Sequence, residues 1–171
     1  MKKINRPTPV TDGEVAEFIS LLADRGLTVG AAESCTAGMI SSRIADIPGS
    51  SDVLAGGVVS YSNDVKRAVL GVREETLRNF GAVSEECARE MAEGALRVIG
   101  CSVAVSVTGI AGPGGGTAEK PVGTVCFGVA DKDGTVTATR RFGEHSDRAT
   151  VRRLTVAEAL RLVTDRVTGI I

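Results

Sequence analysis

The chain has 171 residues, of which 43% are hydrophobic and 24% are charged, and its formal net charge is −1. This length and composition are typical of one globular domain with a sizeable core. The near-neutral charge gives no indication of a nucleic-acid partner. The charged N-terminal residues precede no apolar run, and no apolar stretch is long enough to cross a bilayer. We therefore predict neither a signal peptide nor a membrane segment.

The four cysteines are scattered along the chain, without the Cys-x-x-Cys spacing of a zinc or redox site. Cys101 and Cys126 lie in apolar, strand-like runs, which is typical of buried thiols. We therefore predict neither a disulfide framework nor a zinc site, and we expect a cytoplasmic, reducing location.

Hydrophobic spacing predicts the elements in the first half of the chain. We expect residues 1–12 to form a loose N-terminal leader and residues 13–171 to form one domain. Apolar residues at i, i+3, i+4 and i+7 between Val15 and Leu22 predict a first helix that ends at Gly26. The pattern then predicts a strand, a helix, a Gly-containing strand and two short helices, over residues 28–32, 37–45, 53–61, 63–70 and 72–80.

The second half begins with a long helix, which Ser84 caps and which extends through Ile99. A valine-rich buried strand follows over residues 101–108. Two strands joined by the turn signal Asp131-Lys-Asp-Gly134 predict a hairpin, and a last helix starts at Ser146. Strands that alternate with helices, with one late β-hairpin, predict an α/β fold: a single-domain three-layer α/β/α sandwich with a mixed sheet.

The segment Thr28–Gly38 carries the first candidate functional residues. A strand that runs directly into a helix N-terminus brings backbone N–H groups and the hydroxyls of Ser34 and Thr36 to one point. Such a point can bind an anion or stabilise an oxyanion. The alternative is that both hydroxyls only cap the helix.

Catalysis by Ser34 requires a base, because a serine hydroxyl is a weak nucleophile until its proton is removed. The one histidine, His145, lies among charged and small residues without a motif, and a multi-histidine metal site is excluded. Lys66 is the candidate base, and burial would lower its pKa and favour the neutral amine. Tyr61, the only tyrosine, precedes Lys66 by five residues and can steer or relay a proton. A solvated helix lysine is the alternative.

The most loop-like segment is Thr108-Gly-Ile-Ala-Gly-Pro-Gly-Gly-Gly116. Its glycines allow backbone N–H groups to approach a phosphate or ribose closely, although it matches neither the Walker A nor the dinucleotide-binding pattern. A plain turn or a flexible lid is the alternative. Arg148, at the start of the last helix, can bind a phosphate through its forked guanidinium, although a surface pair with an aspartate is the simpler account.

Ordered motifs extend from about Gly13 to the end of the chain. They are Ala32-Glu-Ser-Cys-Thr-Ala-Gly38, Pro48-Gly-Ser-Ser51, Val59-Ser-Tyr-Ser-Asn-Asp-Val-Lys66, Gly81-Ala-Val-Ser-Glu85, Ser106-Val-Thr-Gly-Ile-Ala-Gly-Pro-Gly-Gly115, Glu119-Lys-Pro-Val-Gly-Thr124 and Arg148 with the helix behind it. Together these motifs resemble the CinA C-terminal domain family, the nicotinamide mononucleotide deamidases also called PncC. Ala37 departs from the family pattern, because members often have a second glycine there.

The resemblance implies hydrolysis of the carboxamide of nicotinamide mononucleotide to nicotinate mononucleotide and ammonia, in pyridine nucleotide recycling. It implies Ser34 as nucleophile, Lys66 as its base and Tyr61 as an assisting group, with no metal and no cofactor. Larger CinA proteins carry an additional N-terminal domain for which this chain has no room, so it resembles the stand-alone form. The resemblance also implies substrate-binding or oxyanion roles for Glu33, Cys35, Thr36, Gly38, Ser106, Thr108, Gly109, Gly112 and Arg148.

Other hypotheses remain open at this point. The domain can be a nucleotide-binding regulatory module without catalysis, or an amidase for another amidated substrate. Cys35 can be a thiol nucleophile with His145 as its base. The partners that we expect are a small-molecule nucleotide and further copies of the same chain, because small α/β enzymes are often symmetric oligomers.

Overall fold

A computed structural model describes residues 8–143 and 146–171, which form a five-stranded sheet with helices on both faces. A 3₁₀ turn lies at Ser50–Asp52, and a π-helical turn lies at Leu96–Gly100. The helices and strands, in chain order, are α1 (Asp12–Asp24), β1 (Val29–Glu33), α2 (Met39–Ala45), β2 (Leu54–Val59), α3 (Asn63–Ala68), α4 (Glu74–Phe80), α5 (Glu85–Ala95), β3 (Val103–Gly109), β4 (Thr124–Asp131), β5 (Gly134–Arg141) and α6 (Arg148–Val167).

The sheet has the strand order β2-β1-β3-β4-β5. Strand β1 pairs in parallel with both β2 and β3, whereas β4 is antiparallel to β3 and to β5. The predicted mixed sheet and the predicted late hairpin, which turns at Lys132 and Asp133, are both confirmed. The carboxyl ends of the three parallel strands meet at one edge of the sheet, which is where α/β proteins usually build their sites.

Side-chain alternation along the strands explains the two helical layers. Odd-numbered residues of β1 and β3, such as Val29 and Val105, join the larger core cluster with apolar residues of α1, α2 and α6. Even-numbered residues, such as Ala32 and Ala104, join a smaller cluster with Cys87, Met91 and Ala95 of α5. The predicted single-domain three-layer sandwich is therefore confirmed.

Short polar residues fix where several helices begin. Thr11 forms a capping box with Glu14, in which each side chain accepts a hydrogen bond from the other's backbone N–H. Ser84 accepts from the backbone N–H of Cys87 at 3.2 Å, so the predicted cap of α5 is confirmed. Residues 1–7 of the predicted leader lie outside the described residues, and its last two residues cap and begin α1.

Two of the differences between predicted and observed helix boundaries have a clear cause in the backbone. The helix predicted to begin at Ala37 begins at Met39, because Ala37 and Gly38 take left-handed φ values of 52° and 96°. The long helix predicted through Ile99 is α-helical only to Ala95 and ends in the π-helical turn. Both differences arise from backbone conformations that hydrophobic spacing does not encode.

The last helix, α6, begins at Arg148, two residues after the predicted start, and Asp147 caps it. One side of α6 packs on the core through residues such as Val151 and Val163. Arg148 and Arg152 lie one turn apart in its first two turns. None of the helices in residues 8–143 and 146–171 combines the length and apolarity that crossing a bilayer requires.

Gly94 allows α5 to pack directly against the backbone that follows α3. A Cβ at this position would lie 2.7 Å from the carbonyl carbon of Leu70 and 2.8 Å from its Cα. Because backbone atoms cannot move aside as a flexible side chain can, we expect Gly94→Ala to lower the free energy of unfolding by about 2–3 kcal/mol in a urea titration.

The matched control is Gly13→Ala, because a Cβ on Gly13 in α1 would meet no atom within 4 Å. Alanine is the better helix former, so this control is expected to raise the free energy of unfolding by about 0.5–1 kcal/mol. Equal effects of the two substitutions would contradict the close approach at Leu70.

Candidate active site

Ser34 directly follows β1 at the carboxyl edge of the sheet. Its backbone N–H donates to the carbonyl of Val107 at 3.0 Å, which continues the β1–β3 ladder by one residue. Strand alternation therefore directs its side chain to the same face as Ala32, the face that α5 covers. Ser34 is half-buried, so its hydroxyl lies at the rim of the core.

Lys66 lies in α3, which follows β2, and its side chain extends to Ser34. The side chain is 1% exposed, and Nζ lies 3.0 Å from the hydroxyl of Ser34. Nζ also donates to the backbone carbonyl of Ser60 at 2.7 Å. The structure thus brings together the two residues that sequence reasoning selected as nucleophile and base.

Burial lowers the pKa of Lys66 from its ordinary value of 10.5, and the thiols of Cys87 and Cys35 oppose this shift weakly. The cause is loss of hydration, which penalises the ammonium form and not the neutral amine. No carboxylate among the described residues lies within ion-pair distance of Nζ to restore the charge. A neutral Lys66 can accept the proton of Ser34 while it still donates to Ser60.

The carboxylate of Glu33 occupies the N-terminus of α2, which the sequence had suggested as an open anion site. Glu33 is 1% exposed. Its two carboxylate oxygens accept hydrogen bonds at 2.7–3.0 Å from the hydroxyls of Thr36 and Ser41 and from the backbone N–H groups of Gly38, Ile40 and Ser41.

This network occupies three residues for which a substrate-binding role is predicted. The side chains of Glu33 and Thr36 are buried and satisfied by each other and by α2, and the N–H of Gly38 also donates to Glu33. A substrate anion would have to displace a carboxylate that already receives five hydrogen bonds. In this structure these residues shape the turn, and their substrate-binding roles stay predictions.

Two backbone N–H groups beside the nucleophile remain without an acceptor among the described residues: those of Cys35 and Thr36. Both lie in the segment 34–38, which we name the nucleophile turn. The N–H of the residue after a nucleophilic serine is a common oxyanion donor. The predicted oxyanion site is therefore compatible with this turn, through its backbone and not through the α2 N-terminus.

The thiol of Cys35 is unsuited to the nucleophile role. It is 5% exposed within the larger core cluster, and burial raises its pKa to about 12. A thiol with this pKa stays protonated at neutral pH and is unreactive. The base in that hypothesis, His145, lies outside the described residues. Only the backbone of Cys35 is available for the predicted substrate-binding role.

Tyr61 is 57% exposed, and its hydroxyl accepts a hydrogen bond from Nη2 of Arg148 at 2.9 Å. Nη1 of Arg148 donates to the carbonyl of Gly112 at 3.0 Å. In the part of the chain that the structure describes, no hydrogen bond links Tyr61 to Ser34 or Lys66. The structure therefore places Tyr61 in a link between the end of β2, the glycine-rich loop and α6, and its role in proton relay stays a prediction.

The predicted ligands on β3 and after it take part in packing. Ser106 is fully buried and donates to the carbonyl of Ala88 at 2.5 Å, and Thr108 donates to the carbonyl of Ala82 at 2.7 Å. A Cβ on Gly109 would lie 2.9 Å from the carbonyl oxygen of Thr124 in the paired strand. The structure gives these three residues a role in holding β3 against its neighbours.

Sequence reasoning missed Arg152 and Ser60. Arg152 donates from Nε to the carbonyl of Cys35 at 3.0 Å and from Nη2 to the carbonyl of Thr36 at 2.9 Å. Its i, i+4 spacing from Arg148 was the available signal, since it places both arginines on one side of α6. Ser60 acts through its backbone carbonyl, for which its residue type gives no signal.

Metal ligation has no candidate among the described residues. In residues 8–143 and 146–171, no three His, Cys, Asp or Glu side chains are grouped so that they could hold a metal ion. Cys35, Cys87, Cys101 and Cys126 are free thiols. The chemistry that the site can perform is proton transfer from Ser34 to a buried amine, followed by attack on an electrophile.

Comparison with known proteins assigns the family. A family model described as the CinA C-terminal domain matches residues 13–167. The chain belongs to the CinA C-terminal domain family. A CinA-like protein from Thermotoga maritima is 48% identical over 152 residues, which are 88% of this chain and 36% of that protein. A putative competence-damage inducible protein from Clostridium perfringens is 51% identical over 140 residues, 82% of this chain and 34% of that protein.

Solved structures of the CinA family share the fold. A competence/damage inducible protein from Agrobacterium tumefaciens has a TM-score of 0.86 at 44% identity and covers 90% of this chain and 93% of its own. A CinA superfamily protein from Klebsiella pneumoniae has a TM-score of 0.87 at 32% identity and covers 94% and 99%. This CinA-family chain therefore spans about a third of the curated relatives it matches and nearly all of these solved chains.

Glu33→Gln tests the network that forms the nucleophile turn. An amide nitrogen in place of one carboxylate oxygen would face N–H donors, so we expect the free energy of unfolding to fall by about 3 kcal/mol. The measurement is urea denaturation at neutral pH. Glu17→Gln, on the exposed side of α1, is the control and should change the free energy by less than about 0.5 kcal/mol. Similar values for both variants would contradict the network.

Lys66→Met tests the lowered pKa of Lys66. Between that pKa and 10.5, the unfolded wild type binds a proton that the folded protein lacks, so wild-type stability rises with pH. Methionine removes this dependence. The stability of the variant relative to wild type should therefore fall as pH rises through this window, by up to about 1.4 kcal/mol per pH unit.

Chemical denaturation of both proteins over a series of pH values measures how the difference in their free energies of unfolding changes with pH. The loss of the hydrogen bond to Ser60 shifts the curve by a constant amount and does not affect its slope. Lys132→Met removes an exposed lysine and is the matched control. Parallel pH curves for wild type and Lys66→Met would show that Lys66 titrates alike in both states and contradict the prediction.

Proposed function

We propose that this CinA-family domain is a metal-independent amidohydrolase with a Ser34–Lys66 dyad. The observation that carries the proposal is a lysine amine, 1% exposed, that lies 3.0 Å from a half-buried serine hydroxyl. Among the described residues no carboxylate pairs with Lys66, so its burial costs stability, and buried groups with a shifted pKa concentrate at catalytic sites.

The chemistry follows from this geometry. Lys66 takes the proton of Ser34 as its Oγ attacks the carboxamide carbon, and the amide oxygen becomes an oxyanion that the N–H groups of Cys35 and Thr36 can stabilise. Collapse breaks the C–N bond, and Lys66 gives its proton to the departing nitrogen, which leaves as ammonia. Water then attacks the acyl-serine ester and gives a proton to Lys66. Lys66 returns this proton to Oγ of Ser34 as the ester C–O bond breaks, and the carboxylic acid is released.

The proposed substrate is nicotinamide mononucleotide, and the product is nicotinate mononucleotide, in pyridine nucleotide recycling. This choice rests on the motif resemblance, with support from the match of the family model over residues 13–167. Arg148 remains the proposed cation toward the phosphate, since it stands at the start of α6 beside the glycine-rich loop. A cytoplasmic location and a homo-oligomeric state stay predictions.

Ammonia release from nicotinamide mononucleotide, with EDTA present, tests the proposal. We expect turnover by the wild type and a loss of at least about 10³-fold in Ser34→Ala and in Lys66→Met, because each removes half of the dyad. The control is Lys132→Met, which replaces an exposed lysine in the turn between β4 and β5 and should keep full activity. Full activity of a folded Ser34→Ala variant would refute the dyad.

The pH dependence of kcat/KM supplies a second test on the same protein. The base must be neutral, so kcat/KM should rise with pH through the lowered pKa of Lys66 and level off below 10.5. Binding of the nucleotide by thermal shift without ammonia release would favour a regulatory module or another amide substrate.

A further inference from the structure

We infer that Arg152 is a positioning residue that holds the backbone of the nucleophile turn in the form that presents two N–H groups to the substrate oxygen. The inference rests on the proposed function, because it assigns a source to the oxyanion site that this function needs. It concerns a residue that contacts neither Ser34 Oγ nor Lys66 Nζ by hydrogen bond among the described residues.

The guanidinium of Arg152 binds two consecutive carbonyls directly after the nucleophile. Nε donates to the oxygen of Cys35 at 3.0 Å, and Nη2 donates to the oxygen of Thr36 at 2.9 Å. Arg152 is half-buried, and its planar fork donates along two fixed directions. A lysine at this position has a single donor nitrogen with freely rotating N–H groups and lacks the rigid fork that matches two carbonyls.

Because a peptide group is planar, a contact that fixes the direction of its carbonyl also fixes the direction of its N–H. In a trans peptide, the C=O of one residue and the N–H of the next point to opposite sides. Arg152 draws the carbonyl of Cys35 toward α6, so the N–H of Thr36 points away from α6. The carbonyl of Ser34 accepts from the N–H of Ala37 at 3.1 Å, which fixes the N–H of Cys35 in the same manner.

The turn needs this support because its backbone is unfavourable. Ala37 adopts a φ of 52°, which costs a residue with a Cβ roughly 1–2 kcal/mol. Rotation of the Thr36–Ala37 peptide would relieve that cost. It would also break the hydrogen bond from the N–H of Ala37 to the carbonyl of Ser34, which fixes the direction of the N–H of Cys35. The two hydrogen bonds from Arg152 oppose this rotation, since charge-assisted bonds to carbonyls are stronger than neutral ones.

Arg153 provides a matched comparison in the same helix. It is exposed and donates to the hydroxyl of Thr150, one turn earlier. Substitution of Arg153 therefore changes the net charge and the helix composition as substitution of Arg152 does, without touching the nucleophile turn. Neither arginine is exchanged for proline or glycine, so α6 is expected to remain formed in the variants.

The test compares Arg152→Lys, Arg152→Ala and Arg153→Ala by two readouts. The first is ammonia release from nicotinamide mononucleotide, resolved into kcat and KM. We expect kcat to fall about 10²-fold or more in both Arg152 variants with KM changed less than about threefold, since oxyanion donors act in the transition state. Added methylguanidinium should restore part of the activity of Arg152→Ala. The Arg153→Ala control should match wild type.

The second readout is the rate at which a fluorophosphonate labels Ser34, measured by intact mass. Ser34 Oγ forms a bond to phosphorus, fluoride leaves, and Lys66 takes the serine proton. We expect slower labelling in both Arg152 variants than in Arg153→Ala. If Ser34 is labelled while nicotinamide mononucleotide yields no ammonia, the proposed substrate fails and labelling still decides the role of Arg152.

Three results would overturn the inference: labelling of folded Arg152→Lys at the wild-type rate, a loss of turnover confined to KM, or a wild type that the reagent leaves unlabelled. If Arg152→Ala does not fold, Arg152→Lys carries the test, because it keeps the charge and most of the side-chain volume. Circular dichroism and the thermal midpoint of each variant establish that the comparison is between folded proteins.

Discussion

The carboxylate of Glu33 is the interaction on which the rest of the site depends. Glu33 is the last residue of β1, and its side chain accepts five hydrogen bonds from the turn and from α2, which joins β1 to that helix. Its backbone carbonyl also accepts from the N–H of Ser60 at 2.8 Å, which ties the end of β2 to the end of β1. Ser34 and the carbonyl that receives Lys66 are therefore placed by the same residue.

Around this junction, the site is assembled almost entirely from the backbone. Lys66 donates to one backbone carbonyl, Arg152 donates to two, and Ser106 and Thr108 each donate to one more. Backbone acceptors carry no charge that could keep Lys66 protonated, and they are insensitive to residue type. This arrangement supports a neutral amine in the core, since none of the carboxylates that the structure describes lies within ion-pair distance of it.

Hydrophobic spacing was sufficient for the sandwich, because each strand alternates between two apolar layers and each helix carries one apolar stripe. It also placed Ser34 after the first strand and Lys66 in the helix after the second. The parallel pairing of these two strands, which brings the residues together, appears only in the structure. The sequence did not reveal that Glu33 caps α2 from within the core, because a buried carboxylate looks like an exposed one in sequence. It passed over Arg152, since a partner made of distant carbonyls leaves no residue pattern.

The left-handed Ala37 has a consequence for how this family tolerates variation. A glycine there takes the same conformation without a steric penalty, so a chain with alanine depends more on contacts outside the turn. In a relative with two glycines, the arginine on α6 becomes less necessary for the shape of the turn and freer to change. We therefore expect the residues at positions 37 and 152 to vary together among relatives, because both affect the energy of rotating the same peptide group.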